Sequence, residues 1–159
     1  MRKLLTSAVA AVSAVGALAI AGPAAQAAAS ACVGTIQITS FGFNPAQVTP
    51  GQSSTATVVA RNCTARSQQV SVMTVARFVG ATTGIPAGCP VIDPLPPARV
   101  TIAPRASYSS STTYVVFAGC TATALEATVR ITDSTSGTLL ATQTARLTIN
   151  QPAPPPAPR

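Results

Sequence analysis

Apolar and polar residues alternate one by one along residues 123–132, and this period of two constrains the fold more than any other feature. The apolar positions are Leu125, Ala127, Val129 and Ile131, and they alternate with Ala124, Glu126, Thr128 and Arg130. Successive side chains point to opposite faces in a strand, so the segment predicts a β-strand with one apolar and one solvated face.

The same alternation continues beyond a turn cluster at residues 133–137. There Ala141, Ala145, Leu147 and Ile149 share one side of a second strand. Earlier segments rich in Val, Ile and Thr and bounded by Gly, Pro, Asn or Ser predict further strands. These segments are residues 33–39, 54–62, 69–79, 91–92, 99–102 and 111–117. The chain is therefore expected to be all-β, with about seven strands.

The N-terminus has the pattern of a secretory signal. Arg2 and Lys3 precede an uncharged, Ala-rich run that ends at a Gly-Pro pair, and Ala25-Gln26-Ala27 is typical of a cleavage site. The Gly-Pro break favours a cleaved signal over a membrane anchor. We expect a signal peptide over residues 1–27 and a secreted, extracellular protein without a membrane span.

The remaining chain is expected to form one domain. Residues 28–150 have the size of a single domain, whereas residues 151–159 are rich in proline and predict a disordered, extended tail.

Four cysteines in an exported chain, at positions 32, 63, 89 and 120, predict two disulfides with three possible connectivities. If the strands run up and down in immunoglobulin-like order, Cys32 and Cys63 lie at one end and Cys89 and Cys120 at the other. This topology predicts the pairs Cys32–Cys63 and Cys89–Cys120. One alternative is a lipid on Cys32, which follows the small residue Ala31. The cysteine spacing does not match a metal or redox motif.

The part of the chain after the signal is basic. It has eight arginines against Asp93, Glu126 and Asp133, a net charge of +5. The arginines are spread singly along the sequence and no aromatic residues alternate with them, so no nucleic acid is expected. The arginines are expected to lie on solvated strand faces, with weak, non-specific attraction to anionic wall polymers or lipid headgroups as an alternative reason for the basic charge. The expected partner is an unknown extracellular protein or a cell-wall component, and the expected state is a monomer.

The sequence predicts no enzyme. It contains no histidine, which removes the usual general base and the commonest metal ligand. Each of the three carboxylates lies at a position that accounts for a structural role: Glu126 on a solvated strand face, Asp133 at a turn, and Asp93 before a proline in a loop. We therefore expect no catalytic, cofactor-binding or metal-binding residues and no cofactor.

The runs Phe41–Thr55 and Val58–Asn62 resemble the first two strands of secreted bacterial immunoglobulin-like or fibronectin-III-like modules, and Leu125–Asp133 with Leu139–Ile149 resembles their last two. The resemblance implies an immunoglobulin-like antiparallel β-sandwich that acts as a non-enzymatic structural or recognition module of unknown ligand. The first run also resembles the opening of blue-copper domains, but this sequence lacks their histidine ligands.

A second resemblance concerns the irregular stretch 80–98. Cys89-Pro90-Val91-Ile92-Asp93-Pro94 is similar to the disulfide-anchored reactive loop of secreted subtilisin-inhibitor proteins, and Val115–Cys120 is similar to their segment with the partner cysteine. This implies an alternative function, inhibition of a serine protease. Val91 would be the specificity residue, Val91-Ile92 the scissile bond, and Pro90 and the disulfide would keep the loop rigid.

Overall fold

The computed structural model describes residues 32–81 and 84–153. The predicted signal peptide and the last six residues of the predicted tail lie outside these ranges. Eight strands form: β1 (Ile36–Asn44), β2 (Gln47–Val48), β3 (Ser53–Asn62), β4 (Gln68–Val79), β5 (Ala98–Ile102), β6 (Ser107–Val115), β7 (Ala124–Asp133) and β8 (Leu139–Ile149).

The strands make two sheets. The first has the order β1-β3-β6 and the second β2-β8-β7-β4-β5. Every strand pair is antiparallel except the two-residue pairing of β2 with β8. This is an immunoglobulin-like β-sandwich with two disulfides, so the predicted fold class is confirmed.

The predicted strands differ from the structure in their number and in the bounds of two of them: β1 and β6 were predicted at residues 33–39 and 111–117. The short strand β2 adds an eighth element, because Gln47 and Val48 pair alongside Thr148 and Ile149 at the edge of the second sheet. The strand predicted at Val91–Ile92 is wrong, since these residues lie in irregular backbone. Pro90 and Pro94 flank them, and proline supplies no N–H donor to a ladder.

The core lies between the sheets, and β7 contributes most of its central side chains because it lies between β4 and β8. Its predicted apolar face is confirmed: the buried residues are Leu125, Ala127, Val129 and Ile131. Ala124, predicted on the solvated face, is instead fully buried. Ala124 lies at the end of the sheet, where Val79 of β4 pairs with it on one side and Thr148 of β8 on the other.

The disulfides join Cys32 to Cys63 and Cys89 to Cys120, and each pair is 31 residues apart in sequence. Cys63 follows the end of β3, whereas Cys120 precedes the start of β7, so the bridges lie at opposite ends of the sandwich. These pairs are the ones that the topological argument predicts. Because the Cys32 sulfur is bonded to Cys63, it is not free to carry a lipid, and the lipidation alternative is not supported.

Candidate functional site

The connection between β4 and β5 forms part of the candidate site. Its first part is fixed locally: Pro86 is buried, and the Cys89 amide donates to the Pro86 carbonyl at 3.2 Å. Prolines at 90, 94, 96 and 97 then stiffen the second part, because each fixes its own φ angle. The described part of the connection, from residue 84 onward, therefore has few accessible conformations.

The loop is attached to the segment that joins β6 to β7. The Cys89–Cys120 disulfide brings the two Cα atoms to 4.3 Å. Beside it, the amide and the hydroxyl of Thr121 both donate to the Ala87 carbonyl, at 2.9 and 3.2 Å. The Gln151 side chain, just beyond β8, donates to the Cys120 carbonyl at 3.1 Å. Covalent and hydrogen bonds thus hold one end of the sandwich together.

Large apolar side chains are exposed at this end. Among the described residues, most of the exposed large hydrophobic side chains lie in the loop or in the adjacent part of the β6–β7 segment. We call this set the apolar end surface: Ile85, Val91, Leu95, Val115 and Phe117, each at least 51% exposed. Val33 and Leu139 are exposed at the opposite end. Large apolar side chains exposed on segments that a disulfide joins are typical of interaction sites.

The three loop residues singled out for an inhibitor lie side by side in this surface. Val91 is 68% exposed, whereas Pro90 and Ile92 on either side are half-buried. Ile92 and Cys89 pack against the core cluster that contains Phe78 and Leu125. The loop therefore presents one projecting side chain between two anchored neighbours, with the disulfide next to them.

The carboxylates do not converge. Glu126 and Asp133 are at opposite ends of β7, roughly 23 Å apart at the usual rise per residue, and Asp93 is exposed in the loop. Within the described ranges, no group of three or more His, Cys, Asp or Glu residues is placed to hold a metal ion.

Glu126 and Asp133 already have partners. Glu126 accepts from Arg77 and Arg146 at 3.0 and 2.7 Å, and the Arg77 hydrogen bond is the main cause that lowers the Glu126 pKa. Asp133 accepts from the backbone amides of Ser136 and Thr135, which lower its pKa. Both carboxylates serve as structural acceptors on the surface.

The structure places on one sheet face arginines that are spread singly along the sequence. Strand register places Arg77, Arg99, Arg130 and Arg146 on the outer face of the five-stranded sheet with a single acidic residue, Glu126. The alternation of β7 and β8 already indicated that Arg130 and Arg146 lie on solvated strand faces. Only strand pairing, however, shows that residues far apart in sequence share one face.

Within the described part of the chain, no helix is long and apolar enough to cross a bilayer. No protein-family model matches the sequence, and no curated protein matches it.

Several solved structures are partly similar to this chain at low sequence identity. The DNA glycosylase AlkC of Pseudomonas fluorescens, solved bound to DNA containing an abasic site analog, superposes with a TM-score of 0.53 and 11% identity. The match covers 75% of this chain but only 31% of the glycosylase chain. The sporulation control protein Spo0M of Bacillus subtilis has a TM-score of 0.46 and 14% identity over 74% of this chain and 50% of its own. A PapD-like domain of human CEP192 has a TM-score of 0.44 and 13% identity over 76% and 87%. At these identities, the likeness concerns the fold alone.

Proposed function

We propose that this chain is an exported, non-enzymatic recognition module that binds an extracellular protein partner through the apolar end surface. The observation that carries the proposal is the exposure of Val91, Leu95 and Phe117 on segments joined by the Cys89–Cys120 disulfide. Apolar anchors on a pre-organised loop bind with little loss of conformational entropy. The two disulfides and the N-terminal signal pattern support an oxidising, extracellular location.

The positions of the three carboxylates also favour a role in binding over one in catalysis. Glu126 and Asp133 are engaged in ion pairs and a turn, and Asp93 is the single charged residue of the loop. A loop that is almost uncharged on a basic domain is suited to an apolar contact at its centre, with charged residues outside it.

The test compares matched surface variants in binding to a purified cell-envelope fraction of the producing cell, at a salt concentration high enough to screen the binding of anionic envelope polymers to arginine. Val91→Asp with Leu95→Asp places charges in the apolar end surface. Leu139→Asp with Val33→Asp makes the same change at the opposite end. We expect the first pair to abolish co-sedimentation and the second to leave it intact. Equal binding by both pairs would refute the proposed surface.

A second candidate function is inhibition of a serine protease. The observation that favours it is the exposure of Val91 between the half-buried Pro90 and Ile92, next to a disulfide. A rigid loop that projects one side chain fits a protease specificity pocket, and Val91 suits a small apolar one.

Titration against subtilisin-like and elastase-like proteases separates the two functions. Stoichiometric inhibition that Val91→Asp abolishes and Leu139→Asp preserves would establish the inhibitor. Simple degradation, or no effect on any of these proteases, would leave the recognition module as the function of this surface.

A further inference from the structure

The outer face of the five-stranded sheet carries most of the positive charge of the described residues. Four arginines and one glutamate lie on it, a net charge of +3. We call it the arginine face: Arg77, Arg99, Arg130 and Arg146, with Glu126 between two of them. By contrast, Arg61 is the single charged residue of the three strands in the other sheet.

Three charged residues of the arginine face lie side by side. Arg77, Glu126 and Arg146 occupy neighbouring strands in one row, with the strands about 5 Å apart. The two guanidinium groups remain largely open to solvent, with side-chain exposures of 77% and 55%, although both contact Glu126. One carboxylate between two arginines leaves this row with a surplus positive charge.

Arg130 and Arg99 extend the charge along the same face. Arg130 lies on β7 opposite Met73, and Arg99 lies on the edge strand β5 opposite Ser71. Thr128 and Thr144 lie beside the Arg77–Glu126–Arg146 row and are hydrogen-bonded to each other across the strands at 2.8 Å, whereas Val75 and Met73 of β4 share the same face. The face therefore presents separated guanidinium groups among hydroxyl and apolar side chains.

We propose that the arginine face binds a linear polyphosphodiester chain of the cell envelope, of the poly(glycerol phosphate) type. Guanidinium groups pair with phosphate oxygens in bidentate geometry, and several such contacts spaced along a sheet match a flexible polymer with one charge per repeat. This site is separate from the apolar end surface and does not depend on the function proposed for it.

The amino-acid composition of the arginine face favours this polymer over other polyanions. The single aromatic residue in the five strands is Phe78, which is buried in the core. The outer face thus offers no ring on which a sugar or a nucleobase could stack. A polymer recognised through its phosphates alone fits such a face better than a polysaccharide or a single-stranded nucleic acid.

The first test measures binding of fluorescently labelled poly(glycerol phosphate) to the purified protein by anisotropy, at low and at physiological salt. Arg130→Gln with Arg146→Gln removes two charges from the arginine face. Arg61→Gln with Arg66→Gln removes the same charge elsewhere on the surface. We expect the first pair to weaken binding by about fivefold for each arginine removed, and the second to have little effect. Melting temperature and far-ultraviolet circular dichroism show that each variant is folded.

Glu126→Gln provides a gain-of-binding test. It removes the carboxylate that contacts Arg77 and Arg146, so affinity for poly(glycerol phosphate) should increase by several-fold. A loss of affinity would overturn the proposal. Equal losses in the two double arginine variants would also overturn it, because binding would then follow net charge and not this face.

Competition identifies the polymer. We expect poly(glycerol phosphate) to bind more tightly than polygalacturonate at equal charge concentration. Tighter binding of polygalacturonate would assign the face to an acidic polysaccharide. If duplex DNA stays bound at physiological salt while poly(glycerol phosphate) dissociates, the arginine face would be assigned to nucleic acid. Either of these two results would refute the proposal.

Discussion

Gly88 lies directly against the carbonyl of Gly119, so closely that a Cβ atom at residue 88 would be 2.0 Å from the Gly119 oxygen. The φ angle of Gly88 is also positive, at 68°. Glycine is needed here because the disulfide at the next residue pulls the two segments together, and any side chain would separate them.

Gly88→Ala should therefore destabilise the protein by about 3 kcal/mol, through backbone strain and steric clash together. Gly137→Ala is the matched control, because Gly137 has a φ angle of 71° and no neighbour within 4 Å of a built Cβ. It should cost only about 1 kcal/mol. Urea denaturation measures both, and equal losses would show that the clash with Gly119 is relieved at no cost.

Asn62 organises the opposite end of the sandwich. It is fully buried, and its Nδ2 atom donates to the carbonyls of Arg66, Ile102 and Ala103 at 2.7 to 3.0 Å. Its Oδ1 atom accepts from the amide and the hydroxyl of Thr64. One side chain thus satisfies polar groups from two segments, the β3–β4 connection and the end of β5.

Asn62→Ala should cost about 3 to 5 kcal/mol, because it leaves buried carbonyl groups without donors. Asn150→Ala, on the exposed side of the β8 end, is the control and should cost less than about 1 kcal/mol. Asn62→Asp should be at least as damaging at neutral pH, since a carboxylate would face the same carbonyls. An Asn62→Ala protein as stable as the wild type would contradict this role.

The Cys89–Cys120 disulfide should matter to both stability and loop order. Replacing both cysteines with serine removes a closed loop of about 30 residues, and the chain-entropy model gives a loss of roughly 3 to 4 kcal/mol. Limited proteolysis should then cut first between residues 84 and 97. The Cys32–Cys63 disulfide closes the same length of chain, so Cys32→Ser with Cys63→Ser should cause a similar stability loss without new cleavage between residues 84 and 97.

Asp133 predicts a pH dependence of stability. Hydrogen bonds from Ser136 and Thr135 lower its pKa below the ordinary value of 3.8. A lowered folded-state pKa adds stability above the unfolded-state pKa, and this stability is lost as the pH falls through the folded-state value.

Asp133→Asn keeps a carbonyl acceptor but cannot titrate. The wild type should therefore lose more stability than the variant between about pH 5 and pH 2, as measured by denaturation at each pH. A stability difference between the two proteins that stays constant over this range would refute the role of Asp133.

Much of the architecture could be predicted from local pattern. The alternation of β7 and β8 identified which side chains face the core, because a pleated strand exposes every second residue to each side. The same alternation gave a wrong prediction at Ala124, which is buried although it was expected on the solvated side of the strand. Burial at a sheet end depends on neighbouring strands, which the local sequence does not encode.

The candidate sites were less predictable. The exposure of Val91 agrees with its place in a proline-rich loop, yet the strand predicted there did not form. The arginines looked dispersed because residues 77, 99, 130 and 146 are far apart in sequence. Their grouping appears only when β4, β5, β7 and β8 pair.

The amino-acid sequence by itself therefore determined an all-β chain with two disulfides, since the period of two and the cysteine positions are local properties of the chain. The tertiary structure alone decided which surfaces are apolar, charged or hydroxyl-rich. The physical reason is that strand register and sheet order, which arise from burial across the whole core, place distant residues side by side.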